Sequence, residues 1–293
     1  MKKNLKKAFI LGNPRSGTSL LRIILNNHKN IIAPPESGFA HWWLKKYDKW
    51  QKKDCDNSSK LNSFINDLML SRKIETWKLN FNNLSEEIKL TKPSNYSELI
   101  TLVYLSFISK TNVKVIIDKN NYYINHLNEL LKIWPDAYFI HLVRDGRDVA
   151  SSYIELMDKD IKNLKYKPKL SKNIANIASE WANNVLSIED FLLTIDKDKR
   201  ITIKFEDLIL STIDTLNDLC EKFKIEFDDA MMNYYSQTAP KYLEPKETSH
   251  WKKKTTSPPL TSRVGRYHED LSPSDLKIFS SIADEALSKF GYK

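Results

Sequence analysis

Residues Lys7–Asn27 read KAFILGNPRSGTSLLRIILNN, and this segment sets the architecture of the chain. Its first part, Lys7–Leu11, is a short apolar run of the kind found in buried β-strands. Gly12–Thr18 brings together glycine, proline and small polar residues, which indicates a loop. In Ser19–Asn27 the leucines and isoleucines crowd one side at helical spacing, which predicts an α-helix. The chain therefore begins with a strand–loop–helix unit.

The loop of this unit has the spacing of a phosphate-binding loop, G-x-x-x-x-G-K-[ST], except that Thr18 stands in place of the lysine. Such a loop holds a phosphate with backbone N–H groups at a helix N-terminus, and Ser19 can add a hydroxyl donor. The missing lysine would reach the β- and γ-phosphates of a triphosphate, so its absence favours a single phosphate or a phosphosulfate. Arg15 is the only cation inside the loop. The alternative is an ordinary strand-to-helix turn, which is disfavoured because the chain contains only 6 glycines and keeps two of them here.

A second anion-binding segment follows another predicted strand, Ala137–Val143. Arg144 stands at the carboxyl end of that strand, where open α/β sheets bind their ligands. Ser152 lies eight positions further on in a predicted helix, so the two side chains could hold one phosphate from two sides. The alternative is a structural ion pair between Arg144 and Asp145.

The rest of the chain continues the alternation of strands and helices. Further strands are predicted at Val113–Ile117 and Ile201–Phe205, with a short candidate at Ile31–Ala33. The main predicted helices are Tyr122–Ile133, Asp145–Leu156, Asn173–Ile195 and Ser272–Phe290. This alternation favours an α/β fold with a parallel sheet covered on both faces. We expect one domain over residues 1–293, in which the aromatic-rich segment 39–110 is a helical insertion around the sheet.

The overall composition narrows the function classes. The net charge of +9 suits an anionic ligand, nucleic acid or an anionic membrane surface, but the lysines are scattered and no groove-reading motif is present. Cys55 and Cys220 are far apart and lack metal-like spacing, so no disulfide framework is expected. The apolar run Ala8–Leu11 is too short for a signal peptide, and no stretch is long enough to span a membrane. We therefore expect a soluble cytoplasmic protein that does not bind nucleic acid.

The two anion-binding segments resemble those of the sulfotransferases that use 3′-phosphoadenosine 5′-phosphosulfate (PAPS) as donor. Gly12–Ser19 is similar to their 5′-phosphosulfate loop, and Val143–Ser152 is similar to their 3′-phosphate motif. The resemblance implies a P-loop-like three-layer α/β sandwich with a central parallel sheet of about five strands. It also implies that PAPS is contacted by Arg15, Ser16, Gly17, Thr18, Ser19, Arg144 and Ser152. The similarity is weakest in residues 39–110, where the family's acceptor-contacting segments would vary.

Within that family the chain is most similar to the branch of the tyrosylprotein sulfotransferases and many bacterial relatives, which share Pro14–Thr18 (PRSGT). This likeness implies that Arg15 is catalytic and that Glu36, 21 residues after it, is the general base. It further implies that Lys119, in the sequence Asp118-Lys119-Asn120, is a catalytic lysine.

A late segment, Ser262–Tyr267, resembles the part of these enzymes that closes over the nucleotide, which implies donor contacts from Arg263, Gly265 and Arg266. Residues 237–271 are therefore predicted to be a mobile cover for the nucleotide. The chain departs from the family pattern at two positions. Tyr267 replaces the usual tryptophan, and Phe205 stands where a tyrosine is common, so one hydrogen bond on the adenosine side is expected to be absent.

The predicted function is transfer of a sulfuryl group from PAPS to an acceptor hydroxyl or amine, in line and without a metal, leaving 3′,5′-ADP (PAP). Glu36 would take the acceptor proton, while Arg15 and Lys119 would neutralise the leaving phosphate. Alternatively, Glu36 could cap a helix and Lys119 could be a solvated lysine. Two other functions stay open: a P-loop kinase or nucleoside triphosphatase, in which Asp118 would be the Walker B aspartate, and a non-catalytic nucleotide- or nucleic-acid-binding protein. A carbohydrate, peptide tyrosine, lipid or small alcohol could each be the acceptor.

Two further features lie near the predicted site. The sequence shows no metal-ligand cluster, and its histidines form no visible catalytic arrangement, although His41 is a candidate for an acceptor-side role. Four aromatic residues follow Glu36 closely: Trp42, Trp43, Tyr47 and Trp50. Packing in the core or in a lid is favoured for them over stacking on a ring-shaped acceptor.

Overall fold

The computed structural model describes residues 5–107, 110, 112–159, 166, 168–236 and 257–292. Five strands form its central sheet: β1 (Lys6–Leu11), β2 (Ile31–Ile32), β3 (Val115–Lys119), β4 (Tyr138–Val143) and β5 (Arg200–Lys204). Their order across the sheet is β2-β3-β1-β4-β5, and every neighbouring pair is parallel. The predicted parallel sheet of about five strands is confirmed.

Helices connect these strands. The α-helices are α1 (Thr18–Asn26), α2 (Phe39–Trp42), α3 (Leu44–Tyr47), α4 (Ser58–Met69), α5 (Phe81–Thr91), α6 (Tyr96–Leu105), α7 (Leu127–Ile133), α8 (Gly146–Met157), α9 (Ile174–Leu193), α10 (Phe205–Leu210), α11 (Thr212–Lys222), α12 (Tyr267–Asp270), α13 (Pro273–Ile282) and α14 (Asp284–Lys289). Short 3-10 helices span Lys52–Cys55, Ile74–Trp77, Asn121–His126, Lys197–Lys199, Asp229–Asn233 and Thr261–Arg263. Among the described residues, no helix is long and apolar enough to cross a membrane.

The sheet is covered on both faces because successive side chains of its apolar strands point to opposite sides. On one side, Ile10 and Ile117 share a core with α1, α10 and α11. On the other side, Phe9 and Ile116 share a core with α4, α5 and α6. These layers make the three-layer α/β sandwich that the sequence predicts.

Residues 39–107 build their helices around an aromatic core that includes residues of the sheet itself. Within it, Tyr47 and Trp50 are buried, as packing requires. The Trp43 indole N–H donates to the Ser71 hydroxyl at 2.8 Å. Trp42 is 39% exposed, so it is the aromatic side chain of this group that is free to meet a ligand.

A third core joins α8, α9, α13 and α14 beside the end of β4. Gly146 opens α8 at a point where a Cβ atom would lie 2.4 Å from the Trp181 ring, so glycine lets the two helices approach. The Trp181 indole N–H donates to the Arg144 carbonyl oxygen at 3.1 Å. This packing fixes the backbone at the carboxyl end of β4, where the second anion-binding segment begins.

Several predicted boundaries shift in the structure. The strand predicted at 113–117 runs from Val115 to Lys119, because Lys119 pairs in register with Ile10. Phe205 begins α10 instead of ending a strand. The helix predicted over Ser272–Phe290 starts with Ser272 as N-cap but is interrupted at Ala283. Of the predicted cover, residues 237–256 lie outside the described residues.

Candidate active site

The loop between β1 and α1 has the backbone shape of an anion nest. Arg15 and Gly17 both adopt left-handed conformations, with φ of 70° and 93°. Thr18 begins α1, whose first N–H groups have no partner within the helix. A Cβ atom on Gly17 would lie 2.5 Å from the Phe205 ring, so no other residue fits there without a shift. The loop therefore presents backbone donors at a helix N-terminus, as an anion requires.

Two arginines meet at this loop: Arg15 belongs to it, and Arg144 follows the end of β4. The Arg15 Nε donates to the Ser152 hydroxyl at 3.0 Å, and the Arg144 Nη1 donates to the Arg15 carbonyl oxygen at 3.3 Å. Burial, together with the adjacent Arg144 guanidinium, lowers the pKa of Arg15 to about 10. Burial also lowers the pKa of Arg144. The structure thus brings together the predicted residues Arg15, Arg144 and Ser152, and an anion placed between the two cations would relieve their repulsion, which makes the group a candidate anion site.

Arg144 is only 5% exposed, and its contacts hold it toward the loop. Its guanidinium carbon lies 4.5 Å from the centre of the Phe205 ring, and its Nη2 donates to the Arg263 carbonyl oxygen at 2.6 Å. Two buried polar atoms here, the Arg144 Nε and the Ser16 Oγ, have no hydrogen-bond partner among the described residues. Buried donors without partners are costly, so both atoms fit a site that an oxyanion completes.

The alternative pairing of Arg144 with Asp145 is wrong. Asp145 is the N-cap of α8 and accepts from the Arg147 backbone N–H at 2.9 Å. Its carboxylate also pairs with the Arg147 guanidinium at 2.6 Å. Arg147 therefore pairs with the Asp145 carboxylate, whereas the Arg144 Nη2 lies 3.5 Å from the carboxylate of the buried Asp148.

Glu36 and Lys119 form the second part of the site. The Lys119 ammonium donates both to the Glu36 carboxylate and, at 3.2 Å, to the Ser19 hydroxyl of the phosphate loop. Glu36 accepts a further hydrogen bond from Lys73 at 2.7 Å. The solvated-lysine alternative is wrong, since the Lys119 side chain is only 1% exposed. The helix-cap alternative for Glu36 is also wrong, since α2 has Gly38 as its N-cap and no side-chain cap.

A cavity of about 970 Å³ connects these groups. The predicted catalytic residues Arg15, Glu36 and Lys119 line it, together with Gly17, Thr18, Ser19, Arg144, Ser152 and Arg263. Trp42, Arg72, Lys73, Tyr122 and Tyr166 also line it. The cavity is therefore large enough for a nucleotide and an acceptor group to meet within one space.

The described part of the covering segment is fastened to α8. Arg263 and Arg266 both donate to the Glu155 carboxylate, at 2.8 and 2.5 Å. Although burial favours the neutral acid, these guanidinium contacts lower the pKa of Glu155 to about 2. The Gly265 N–H donates to Asp148 at 2.9 Å. Of the three predicted contacts in this segment, Arg263 thus reaches the cavity, whereas Gly265 and Arg266 face the carboxylates of α8.

Asp118 does not behave as a Walker B aspartate. Its carboxylate accepts a buried hydrogen bond from the Tyr123 hydroxyl, and burial raises its pKa to about 6. Asp118 pairs with Phe9, whose side chain packs in the core on the face away from α1. Since metal binding needs an ionised carboxylate facing the phosphates, this aspartate lacks the position that a kinase requires.

The structure adds site residues that the sequence did not reveal. Lys73 reaches Glu36 from the variable insertion, and no motif marks it. Asn121 accepts from the Thr18 hydroxyl at 3.2 Å, and Glu155 pairs with the covering segment. Asn121 follows the predicted Lys119 by two residues, and Glu155 follows Ser152 by three, so their place next to motif residues was the available signal.

Comparison with solved structures places the fold. The sulfotransferase domain of the Synechococcus PCC 7002 olefin synthase superimposes with a TM-score of 0.61 at 19% identity, covering 96% of each chain. A mouse sulfotransferase solved in complex with PAP superimposes with a TM-score of 0.54 at 14% identity, covering 96% of this chain and 84% of the mouse chain. At these identities the likeness concerns the fold.

Comparison of sequences identifies the family. Residues 8–229 match the model of the sulfotransferase family. The zebrafish (Danio rerio) protein-tyrosine sulfotransferase 1 is 22% identical over 79% of this chain. The chain spans 57% of that relative's length. The family match includes the phosphate loop, Glu36, Lys119 and Arg144, and it confirms the family suggested by these residues: the chain belongs to the sulfotransferases.

Proposed function

We propose that this protein transfers a sulfuryl group from PAPS to a hydroxyl or amine of an acceptor and releases PAP. One observation carries the proposal. Lys119 contacts both Glu36 and Ser19, so a carboxylate able to act as base and a loop able to hold phosphate share one cation in one cavity. A pure nucleotide-binding protein needs the loop but has no use for the partly buried Glu36 carboxylate.

The proposed binding of PAPS is supported by the two buried atoms without partners among the described residues, Ser16 Oγ and Arg144 Nε, and by the arginines at the phosphate loop. The nest of the loop and the Ser16 hydroxyl would hold the 5′-phosphosulfate. Arg144 and Ser152 would hold the 3′-phosphate, with the Arg144 Nε as a free donor. The covering segment would close over the nucleotide through Arg263. The mouse relative solved with PAP supports this choice of nucleotide.

The transfer step would be an in-line displacement at sulfur. The acceptor oxygen or nitrogen forms a bond to sulfur while the bond from sulfur to the bridging phosphate oxygen breaks. Glu36 would take the proton that the acceptor loses. Arg15 and Lys119 would stabilise the charge that develops on the leaving phosphate, so the transfer would need no metal.

The experiment that tests the proposal is calorimetric titration with PAP and, in parallel, with Mg·ATP. We expect PAP to bind saturably in the presence of a chelator and Mg·ATP not to bind. Thr18 in place of the loop lysine and the inward-facing Asp118 are the physical reasons. Binding of Mg·ATP without binding of PAP would replace the proposal with a kinase or nucleoside triphosphatase.

A further inference from the structure

Three side chains next to the cavity come together from distant parts of the sequence. His41 lies in α2, His126 ends the 3-10 helix before α7, and Glu129 lies in the first turn of α7. The ligand atoms of these residues all lie within 4.8 Å of one another. The sequence conceals the group because His41 is far from the other two along the chain.

We propose that His41, His126 and Glu129 bind a divalent transition-metal ion, with Zn²⁺ as the preferred ion and water completing its coordination. This site is separate from the donor site, and the proposal does not depend on the proposed function. Two imidazoles and one carboxylate with an open position are a ligand set found in zinc sites of proteins.

The spacing of the ligand atoms fits such an ion. Two atoms bound at about 2.1 Å to a tetrahedral ion lie roughly 3.4 Å apart. The His126 Nδ1 and the Glu129 Oε2 lie 3.4 Å apart. The two residues are neighbours on one face because they are three positions apart at a helix start. The His41 Nε2 is in direct hydrogen-bond contact with the same Glu129 oxygen, which is closer than two ligands of one ion lie. These two atoms must therefore move apart as an ion replaces the proton of that hydrogen bond.

An outer contact fixes the first histidine. The Tyr122 hydroxyl is hydrogen-bonded to the His41 Nδ1. This contact leaves the Nε2 pointing at Glu129, as in metal sites where the second ring nitrogen is held by a neighbouring group.

The chemistry and access of the site select the class of ion. Mg²⁺ and Ca²⁺ prefer oxygen ligands, whereas paired imidazoles favour Zn²⁺ and its transition-metal neighbours. The side chains of His126 and Glu129 are 34% and 43% exposed, so an ion and its water can enter from solvent. Cys55 and Cys220 are both buried and are not members of this group.

The site adjoins the wall of the large cavity. Tyr122 and Trp42 line that cavity, and their ring centres lie 6.1 Å apart. Tyr122 is held by His41, and Trp42 follows His41 in the chain. A bound ion would therefore hold the aromatic wall in place through its ligand His41.

Titration of the full chain, free of any histidine tag, with ZnCl₂ tests the proposal by calorimetry, and Co²⁺ gives a visible spectrum that reports its coordination. We expect one ion per chain and a tetrahedral Co²⁺ spectrum. His126→Ala and the conservative Glu129→Gln should each weaken Zn²⁺ binding by more than about tenfold, and Tyr122→Phe by roughly tenfold. His268→Ala, which changes an exposed histidine outside the group, should leave the affinity unchanged.

Absence of saturable one-to-one binding would overturn the proposal. Equal affinity in wild type, His126→Ala and Glu129→Gln would also overturn it, since the ion would then bind elsewhere. Circular dichroism of each variant shows whether it is folded, and Glu129→Gln keeps the test open if His126→Ala is not. PAP titration of the same samples is a separate readout, so failure of the metal site and failure of the donor site are distinguishable.

Discussion

Arg144 shows how one side chain can be prepared for a ligand by its surroundings. It is almost fully buried, it contacts the Phe205 ring and the Arg263 carbonyl oxygen, and its Nη2 lies 3.5 Å from the Asp148 carboxylate. Its Nε has no hydrogen-bond partner in the part of the chain that the structure describes, and a buried donor left unused is unfavourable unless a ligand completes it. The residue therefore gives the sharpest test of the donor site.

Arg144→Ala should weaken the binding of PAP by about 1.5–3 kcal/mol, because it removes a charged hydrogen bond. Calorimetric titration measures the change. Arg200→Ala is a matched control, since Arg200 begins β5 at the opposite end of the strand from the site. If both variants bind PAP as wild type does, Arg144 has no part in the donor site.

Glu36→Gln should leave PAP binding nearly unchanged but lower turnover by about 10²–10⁴, because the amide cannot accept the acceptor proton. The measurement is sulfuryl transfer from labelled PAPS, with PAP titration of the same protein. Glu285→Gln changes an exposed carboxylate and serves as the control. Full turnover in Glu36→Gln would remove the base role from this residue.

At the scale of elements, the start of α8 joins packing to binding. Gly146 lies against the Trp181 ring of α9, and a Cβ atom there would also lie 2.6 Å from Phe279 of α13. The same helix carries Ser152, Asp148 and Glu155, which contact the loop and the covering segment. The position of α8 against α9 therefore sets the placement of the side chains on α8 that contact the phosphate loop and the covering segment, which form the proposed donor site.

Gly146→Ala should lower the free energy of unfolding by about 1–3 kcal/mol, because the added methyl group overpacks the contact with Trp181. Urea denaturation measures it. The exposed Asn183→Ala on α9 should change stability by less than about 0.5 kcal/mol. An unchanged midpoint for Gly146→Ala would mean that the helices move apart at no cost.

At the scale of the whole molecule, buried neutral histidines connect stability to pH. The His28 Nε2–H donates to the Glu226 carbonyl oxygen, and its Nδ1 accepts from the Asn30 N–H, each at 2.9 Å. His141 is fully buried, and its nearest carboxylate, Glu189, lies 3.7 Å away. Burial lowers the pKa of both histidines in the folded chain.

Because the folded pKa of His141 is below 6.5, the unfolded chain takes up the proton first as the pH falls. The stability contribution is thus complete above about pH 6.5 and is lost below it, by at most about 1.4 kcal/mol per pH unit. His141→Gln should therefore lose less stability than wild type between about pH 6.5 and 5. Val143→Ala, a destabilised control that keeps the histidine, should retain the wild-type slope. Equal slopes for wild type and His141→Gln would contradict the prediction.

Much of this fold could be predicted from the sequence because its strands are short apolar runs that must be buried. The predicted strand 113–117 lies two residues before the observed β3. Asp118 and Lys119 are polar, so the apolar pattern ends before them, yet both pair with β1. The interruption at Ala283 was not predictable, because the apolar spacing continues through it. The local sequence pattern indicates which residues are buried and where turns occur. The ends of strands and the interruptions of helices depend on tertiary contacts.

The same limit applies to the candidate site. The glycine-containing loop and the strand-end motif pointed to Arg15 and Arg144 because local spacing determines their place, whereas Lys119 was indicated by the resemblance to the family. Lys73 lines the cavity, and His41, His126 and Glu129 lie beside it; neither placement could be predicted, since folding brings these residues together from segments without a motif. Residues that meet only in three dimensions leave no periodic trace in the chain.

The contact between Glu36 and Lys119 has a consequence for the total charge of the cavity. Under the proposed function, the carboxylate becomes neutral when it takes the acceptor proton, while the departing phosphate gains a negative charge at the same time. The cavity would therefore keep a constant net charge throughout the reaction. Lys119, already bonded to Glu36 and to Ser19, would exchange one anionic neighbour for another without leaving its place. The surrounding dipoles would then need little rearrangement during the transfer, which lowers the barrier.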